Sequence, residues 1–247
     1  MPKTDYADAM SIWGKLAGAA AGLAIGGPIG ALLGGLAGHF GLDRDRQGTG
    51  QQKDIAFTVG VIALSAKMAK ADGVVTESEI DAFKEVFKIP PGEAANVARV
   101  FNLAKQDIAG FEAYADQLGN LFKDNRRLLQ DVLEGLFYIA ASDEVLHPKE
   151  DDYLKTVARR FGFSDSEFTH IRARFLPNDQ TSPYDVLGVT PEIADDALKS
   201  HYRKLVAENH PDKLIARGVP EEFVQVANRK LASINDAYRT IAKERGI

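Results

Sequence analysis

Apolar residues recur with helical spacing along most of the chain. Ile55, Val59, Ile62, Ala66 and Ala69 mark one helical face. Ile80, Phe83, Val86 and Phe87 mark a second helix, which Pro90 and Pro91 end. Val97, Val100 and Phe101 follow, then Phe111, Tyr114, Leu118 and Leu121. Leu129, Val132, Leu133, Leu136 and Ile139 form a strong stripe, and Leu154, Val157 and Phe161, then Phe168 and Ile171, complete the region. With breaks at Gly110, Asp124 and Gly162, about seven helices are expected over residues 54–176. After a turn-rich stretch, LPNDQTSP, a short helix carries Tyr184 and Leu187. Asp195 or Asp196 then opens a helix with Leu198, Tyr202 and Leu205 on one side. A long helix from about Glu221 to Ala242 turns Phe223, Val226, Ala227, Leu231, Ile234 and Tyr238 back toward it. Strand-type alternation is absent, so the expected fold class is all-α.

The N-terminal part follows a different pattern. No charged residue occurs from Leu16 to Gly38. At ~1.5 Å per residue this run covers roughly the ~30 Å of a hydrocarbon core. Gly14, Gly18, Gly22, Gly26, Gly30, Gly34 and Gly38 fall on every fourth position, a smooth helical stripe along which two backbones can approach closely. In water each glycine would cost about 0.8–1 kcal/mol relative to alanine, which argues for a bilayer. Trp13 and His39-Phe40 bracket the run as interfacial anchors do. The expectation is a Gly-zipper transmembrane helix within an anchor, residues 1–42, that meets the membrane through 12–42 and forms a homodimer through the stripe. Arg44, Arg46 and Lys53 place the C-terminal bulk in the cytoplasm, and residues 43–53 read as a polar linker. A secretory signal peptide needs a basic start, which Asp5 and Asp8 oppose. An interfacial Gly/Ala segment, interrupted at Pro28, is the competing reading.

Charge and composition narrow the chemistry. The 247 residues carry a net charge of -5, held mainly by the middle region. Nucleic acid is therefore not an expected partner, because phosphate binding needs a concentrated basic surface. The absence of cysteine excludes disulfides, thiolate metal sites and a cysteine nucleophile. No Ser/His/Asp set or carboxylate pair supports an enzyme.

Two segments of the middle region repeat. Ala69 to Phe87, AKADGVVTESEIDAFKEVF, aligns with Ala140 to Ala158, AASDEVLHPKEDDYLKTVA, with Asp72 on Asp143 and Glu79 on Glu150. Each is a helix, an acidic turn and a second helix, and the pairing predicts a pseudo-twofold domain with one core. Thr76 with Glu79 has the pattern of a capping box, and Pro148 with Glu150 that of a helix start. An EF-hand is excluded, since the alternating oxygen ligands after Asp72 are missing. The Ala-Asp-Gly turn with its downstream Glu resembles the TerB-like family of tellurite-resistance proteins over most of 54–176. That resemblance implies a helical domain whose acidic residues hold a divalent metal, here Asp72, Glu79, Asp143 and Glu150. The second turn, Ser142-Asp143-Glu144, departs from the family's pattern. Capping and metal binding both stand as readings of these carboxylates, and no other cofactor is expected.

The C-terminal region carries four ordered blocks. They are Tyr184 to Val189 (YDVLGV), Tyr202-Arg203-Lys204-Leu205, His210-Pro211-Asp212-Lys213, and Ile234-Asn235-Asp236-Ala237-Tyr238. Lys199, Arg203 and Lys204, joined by His201, lie opposite the apolar side of their helix. Proline ends that helix, and taken alone His210 reads as a C-cap residue. Together the four blocks resemble the J-domain family over nearly all of 182–242. The resemblance implies an antiparallel helical hairpin with His210, Pro211 and Asp212 in an exposed loop. It also implies that the basic face, Lys199, Arg203 and Lys204 with Lys213, docks on the ATPase of a DnaK-type chaperone. Such a face steers association with an acidic partner, Pro211 limits the entropy lost on docking, and Asp212 offers an acceptor to a cation.

The domain order is therefore an anchor (1–42), a linker (43–53), a TerB-like domain (54–176), a linker (177–181) and a J-domain (182–247). Ile12-Trp13-Gly14-Lys15, Gly38-His39-Phe40, the TerB-like middle and the run HPDKLIARGVP from His210 resemble the DjlA-like family of membrane-anchored J-proteins. This implies a co-chaperone at the inner membrane of Gram-negative bacteria, single-pass, with its bulk cytoplasmic. A general DnaJ is excluded, because no Gly/Phe-rich segment and no cysteine-rich module follow the J-domain. The alternative is a metal- or stress-sensing TerB-like protein with the J-domain as its output.

Overall fold

The computed structural model describes residues 26–37, 49–70, 77–87, 94–106, 110–142, 146–176, 181–216 and 224–247. Among the described residues all regular structure is helical, as the apolar spacing predicts. The helices are α1 (Gly27–Ala37), α2 (Thr49–Met68), α3 (Glu77–Phe87), α4 (Ala94–Gln106), α5 (Phe111–Leu121), α6 (Arg126–Ala140), α7 (Pro148–Arg160), α8 (Asp165–Phe175), α9 (Pro183–Leu187), α10 (Asp195–Glu208), α11 (Pro211–Ala216) and α12 (Val224–Arg245). They fall into two compact units. The first contains α1, α2, α4, α5 and the start of α6 to Leu129; the second contains α3, the rest of α6 from Gln130, and α7 to α12.

In the first unit α2 is central. The stripe of Val59, Ile62 and Ala66 is buried, and so are Phe57, Val61 and Leu64 on its other sides. One amphipathic face does not describe this helix, because α1, α4 and α5 all pack on it. It approaches α5 closely at Gly60. A Cβ at Gly60 would lie 2.7 Å from the Leu118 side chain, so only glycine permits that spacing. Phe57 meets Phe122 edge-on at 5.8 Å, and the Lys67 ammonium lies 5.1 Å from the Tyr114 ring centroid.

Of the N-terminal segment the structure describes residues 26–37. Gly26 and Gly27 have φ of 58° and 62°, a left-handed conformation open to glycine. Pro28 follows in the first turn of α1, where its missing N–H costs nothing. The left-handed pair marks the point where α1 begins. The Gln117 side chain holds this start, accepting from Ile29 N at 2.9 Å and donating to Gly26 O at 2.8 Å. Ile29 and Leu32 are buried within the unit. Gly30 is buried as well, so it does not present an open face to a second copy in this structure. Gly34 lies in α1, while Gly14, Gly18, Gly22 and Gly38 lie outside the described residues. Among the described residues no helix is long and apolar enough to cross a membrane.

The second unit is built around α6, buried on every side from Asp131 to Ala141. Phe137 stacks on Phe175 at 6.1 Å and meets Phe168 at 5.5 Å. Ser164 and Glu167 form a capping box at the start of α8, and Arg172 reaches Asp151 of α7 at 2.8 Å. In α3, Ala82, Phe83 and Val86 are buried but Ile80, expected on the same face, is exposed. Steps of three residues each fall about 60° short of a helical turn, so Ile80 drifts off the face that Val86 defines.

Candidate partner-binding site

The last four helices form a hairpin. Leu198 and Leu205 of α10 meet Ile234, Ala237 and Ile241 of α12, and Val186 and Leu187 of α9 close one end. Tyr202 and Tyr238 stack at 3.9 Å, nearly parallel, and the Tyr202 hydroxyl donates to Asn235 Oδ1 at 3.0 Å. Gly188, with φ of 71°, ends α9 as a left-handed C-cap.

Arg245, in the last turn of α12, fastens the start of the hairpin. Its guanidinium donates to the Tyr184 hydroxyl (3.0 Å), Ile193 O (2.7 Å), Asp195 Oδ1 (2.8 Å) and Pro191 O (2.6 Å). The hydrogen bond to Asp195, followed by that to Tyr184, favours its charged form still further. The N-cap of α10 is Ala194, without a side-chain cap. Asp195 and Asp196 fall inside the first turn, where carboxylates complement the helix dipole, and Asp195 serves Arg245 instead of the backbone.

Between α10 and α11 the chain turns within two residues. Asn209 is buried and its amide donates to Leu205 O at 2.7 Å, satisfying a terminal carbonyl of α10. His210 follows, and Pro211 begins α11 instead of merely ending α10. His210 Nδ1 accepts from Asp212 N at 3.3 Å, and Lys213 N donates to His210 O at 2.9 Å. The ring thus caps the N-terminus of α11 and not the C-terminus of α10. The Asp212 carboxylate lies 3.5 Å from His210 Nδ1. The side chains of His210 and Asp212 are 55% and 87% exposed, so both are open to a partner.

The basic candidates are mostly open to solvent. Arg203, Lys204 and Lys213 are exposed and Lys199 is half-buried. Lys204 lies 3.9 Å from Glu208 one turn later. His201 does not join them. It turns inward, and its Nε2 bonds to Leu187 O at 2.9 Å.

Of the acidic candidates, Asp72 and Asp143 lie outside the described residues, and Glu79 is placed only as a backbone position in α3. Glu150 is buried and closes a capping box. Its Oε2 accepts from His147 N at 3.0 Å, while His147 Nδ1 accepts from Lys149 N at 3.3 Å. Among the described residues no three His, Asp or Glu side chains converge to hold a metal.

Two groups of side chains were not singled out by sequence reasoning. One is Arg245. The other is a set of buried charges on α6, α8 and α12. Lys230 Nζ donates to Glu134 Oε1 at 2.5 Å, and Arg174 Nη1 lies 3.9 Å from the same oxygen. Lys230 does carry a signal, because Val226, Lys230 and Ile234 are spaced four apart on the inward stripe of α12.

Residues 58–173 match the family described as tellurite resistance protein TerB, and residues 182–245 match the DnaJ domain. Residues 10–54 match the family described as co-chaperone DjlA transmembrane domain. The chain is 32% identical to the co-chaperone protein DjlA of Shewanella oneidensis, over 96% of this chain and 100% of that protein. It is 32% identical to the protein of that name from Photobacterium profundum, over 85% and 84% of the two chains. Identity to the Escherichia coli co-chaperone protein DjlA is 28%, over 96% and 99%. No solved structure matches the chain.

Proposed function

The chain belongs to the DjlA family of J-domain co-chaperones, and from that premise we propose that it binds a DnaK-type chaperone through its hairpin and stimulates the partner's ATP hydrolysis at the inner membrane. The observation that carries this reading is the exposed His210-Pro211-Asp212 corner, set beside the outward basic residues of α10. A cationic face of this kind draws in an acidic surface and orients it. The corner is preorganised, since Pro211 fixes one dihedral and the His210 ring is already bonded to the backbone of α11. Docking therefore loses little conformational entropy. The chain itself performs no chemistry. It favours one of two states of the partner's ATPase, to the extent that it binds that state better.

The match of residues 10–54 supports anchoring through residues 12–42, and the basic residues Arg44, Arg46 and Lys53 that follow favour a cytoplasmic C-terminal bulk. Pairing of two anchors through the glycine stripe would require α1 to leave the first unit, because Gly30 is covered there.

The test is single-turnover ATP hydrolysis by a DnaK-type chaperone with and without the full chain. Stimulation should be lost in His210→Gln while the melting temperature is unchanged. In the wild type it should fall as salt rises, as expected for a steered encounter. Stimulation that survives His210→Gln would refute the assignment of the corner.

A further inference from the structure

The face of α12 that carries Lys230 is not free. Lys230 is 1% exposed and Glu134 of α6 is 2% exposed. Glu134 Oε1 receives Lys230 Nζ at 2.5 Å and Gln130 Nε2 at 2.6 Å. Arg174 of α8 approaches the same oxygen, and its Nε donates to Val186 O of α9 at 3.0 Å. One turn along α6, the Arg229 guanidinium lies 5.4 Å from the Tyr138 ring centroid and donates to Ala141 O at 3.3 Å. The Tyr138 hydroxyl in turn donates to Glu85 Oε2 of α3 at 2.9 Å. His170 Nδ1 of α8 bonds to Asp185 O at 3.0 Å.

We infer that Glu134 and Lys230 are positioning residues that seat the J-domain hairpin on the TerB-like helices α3, α6 and α8 in one register. A buried ion pair adds little net stability over apolar packing, and its attested use is to specify one arrangement. Here that arrangement is specific, because Lys230 is the charged position on an otherwise apolar stripe and its ammonium bonds Glu134, one of two buried carboxylates on α6 with Asp131. None of the partner-facing residues Lys199, Arg203, Lys204, His210 and Asp212 forms any of these bonds. The hairpin can thus be seated and occupied at once. The docking stands apart from the co-chaperone reading. Its consequence, that the chaperone is received in a fixed orientation relative to α6, rests on that reading.

The test uses the full chain, which has no native cysteine to interfere with labelling. Asp152→Cys on α7 and Lys243→Cys on α12, both exposed positions, carry spin labels for a double electron–electron resonance distance measurement. The parent should give one narrow distance. Glu134→Gln, which keeps an acceptor without charge, or Lys230→Met should turn it into a broad distribution while far-UV helicity is retained. A narrow distance in both variants, or a broad one in the parent, would overturn the inference. Loss of helicity in both would overturn it as well, since a seating contact is dispensable to the hairpin's own core of Leu198, Leu205, Ile234 and Ile241. ATPase stimulation by the unlabelled wild type reports separately on the co-chaperone reading.

Discussion

Glu134→Leu should be among the most damaging single changes in the second unit. The substitution removes the carboxylate that Lys230 and Arg174 share, in a place where Lys230 is 1% exposed. Arg174 keeps its bond to the Val186 carbonyl, so Lys230 is the cation that loses most. Breaking a buried ion pair from one side costs about 3–5 kcal/mol. At about 2–4 °C per kcal/mol for a chain of this size, the melting temperature should drop by roughly 6–20 °C. Combining Glu134→Leu with Lys230→Met removes both charges and leaves two apolar side chains of similar length facing each other. Replacements of this kind are commonly neutral or stabilising, so the double variant should recover most of the loss. The assay is calorimetric melting of the four members of the cycle, with urea titration to check that the slope is unchanged. A drop of less than about 2 °C in Glu134→Leu, or a double variant no more stable than that single one, would refute the assignment of Glu134 and Lys230 as a coupled buried pair.

Gly60→Ala places a methyl 2.7 Å from the Leu118 side chain, and should destabilise the first unit by about 1–3 kcal/mol through overpacking, read by urea denaturation. Tyr138 tests a pH dependence. Burial, followed by its hydrogen bond to Glu85, pushes the hydroxyl up from 10.0 to about 12. Between those values the unfolded chain releases a proton that the folded chain keeps. The contribution is therefore whole below about pH 10 and is lost as pH rises toward 12. Tyr138→Phe should be less stable than the wild type at neutral pH and should show a shallower decline over the alkaline window. Parallel alkaline curves for the two proteins would refute the assignment.

The helix inventory was legible because burial on one side leaves a periodic trace. From α2 to α8 the helices cover stripes such as Val97, Val100 and Leu129, Val132, Leu136, but α2 begins at Thr49, within the stretch 43–53 read as a polar linker. The four blocks around His210 were legible for a different reason: their order and spacing are specific even though each is short. What escaped was everything decided by a neighbour. α2 and α6 are covered on all sides, so no single stripe could describe them. Lys230 sits on a core stripe, but a charge there reads as surface until its carboxylate is known, and Glu134 lies 96 residues away. His201 was grouped with the basic face because spacing alone cannot show that its ring bonds inward to a carbonyl. Pro28 was legible as an interruption, but that it restarts a helix depends on two left-handed glycines and on Gln117, 88 residues beyond Ile29.

The Arg245 fastening has a consequence for the order in which the protein is made. The guanidinium holds Tyr184, Pro191, Ile193 and Asp195, and it lies 61 residues after Tyr184. At about 5–20 residues per second, synthesis separates the two by roughly 3–12 s. During that interval α9 and α10 have emerged without their fastening, whereas the residues of α2 to α8 are already complete and free to pack. Vectorial synthesis therefore delivers the TerB-like helices first and the fastened hairpin last. A nascent chain cannot display the finished hairpin until residue 245 has cleared the ribosome.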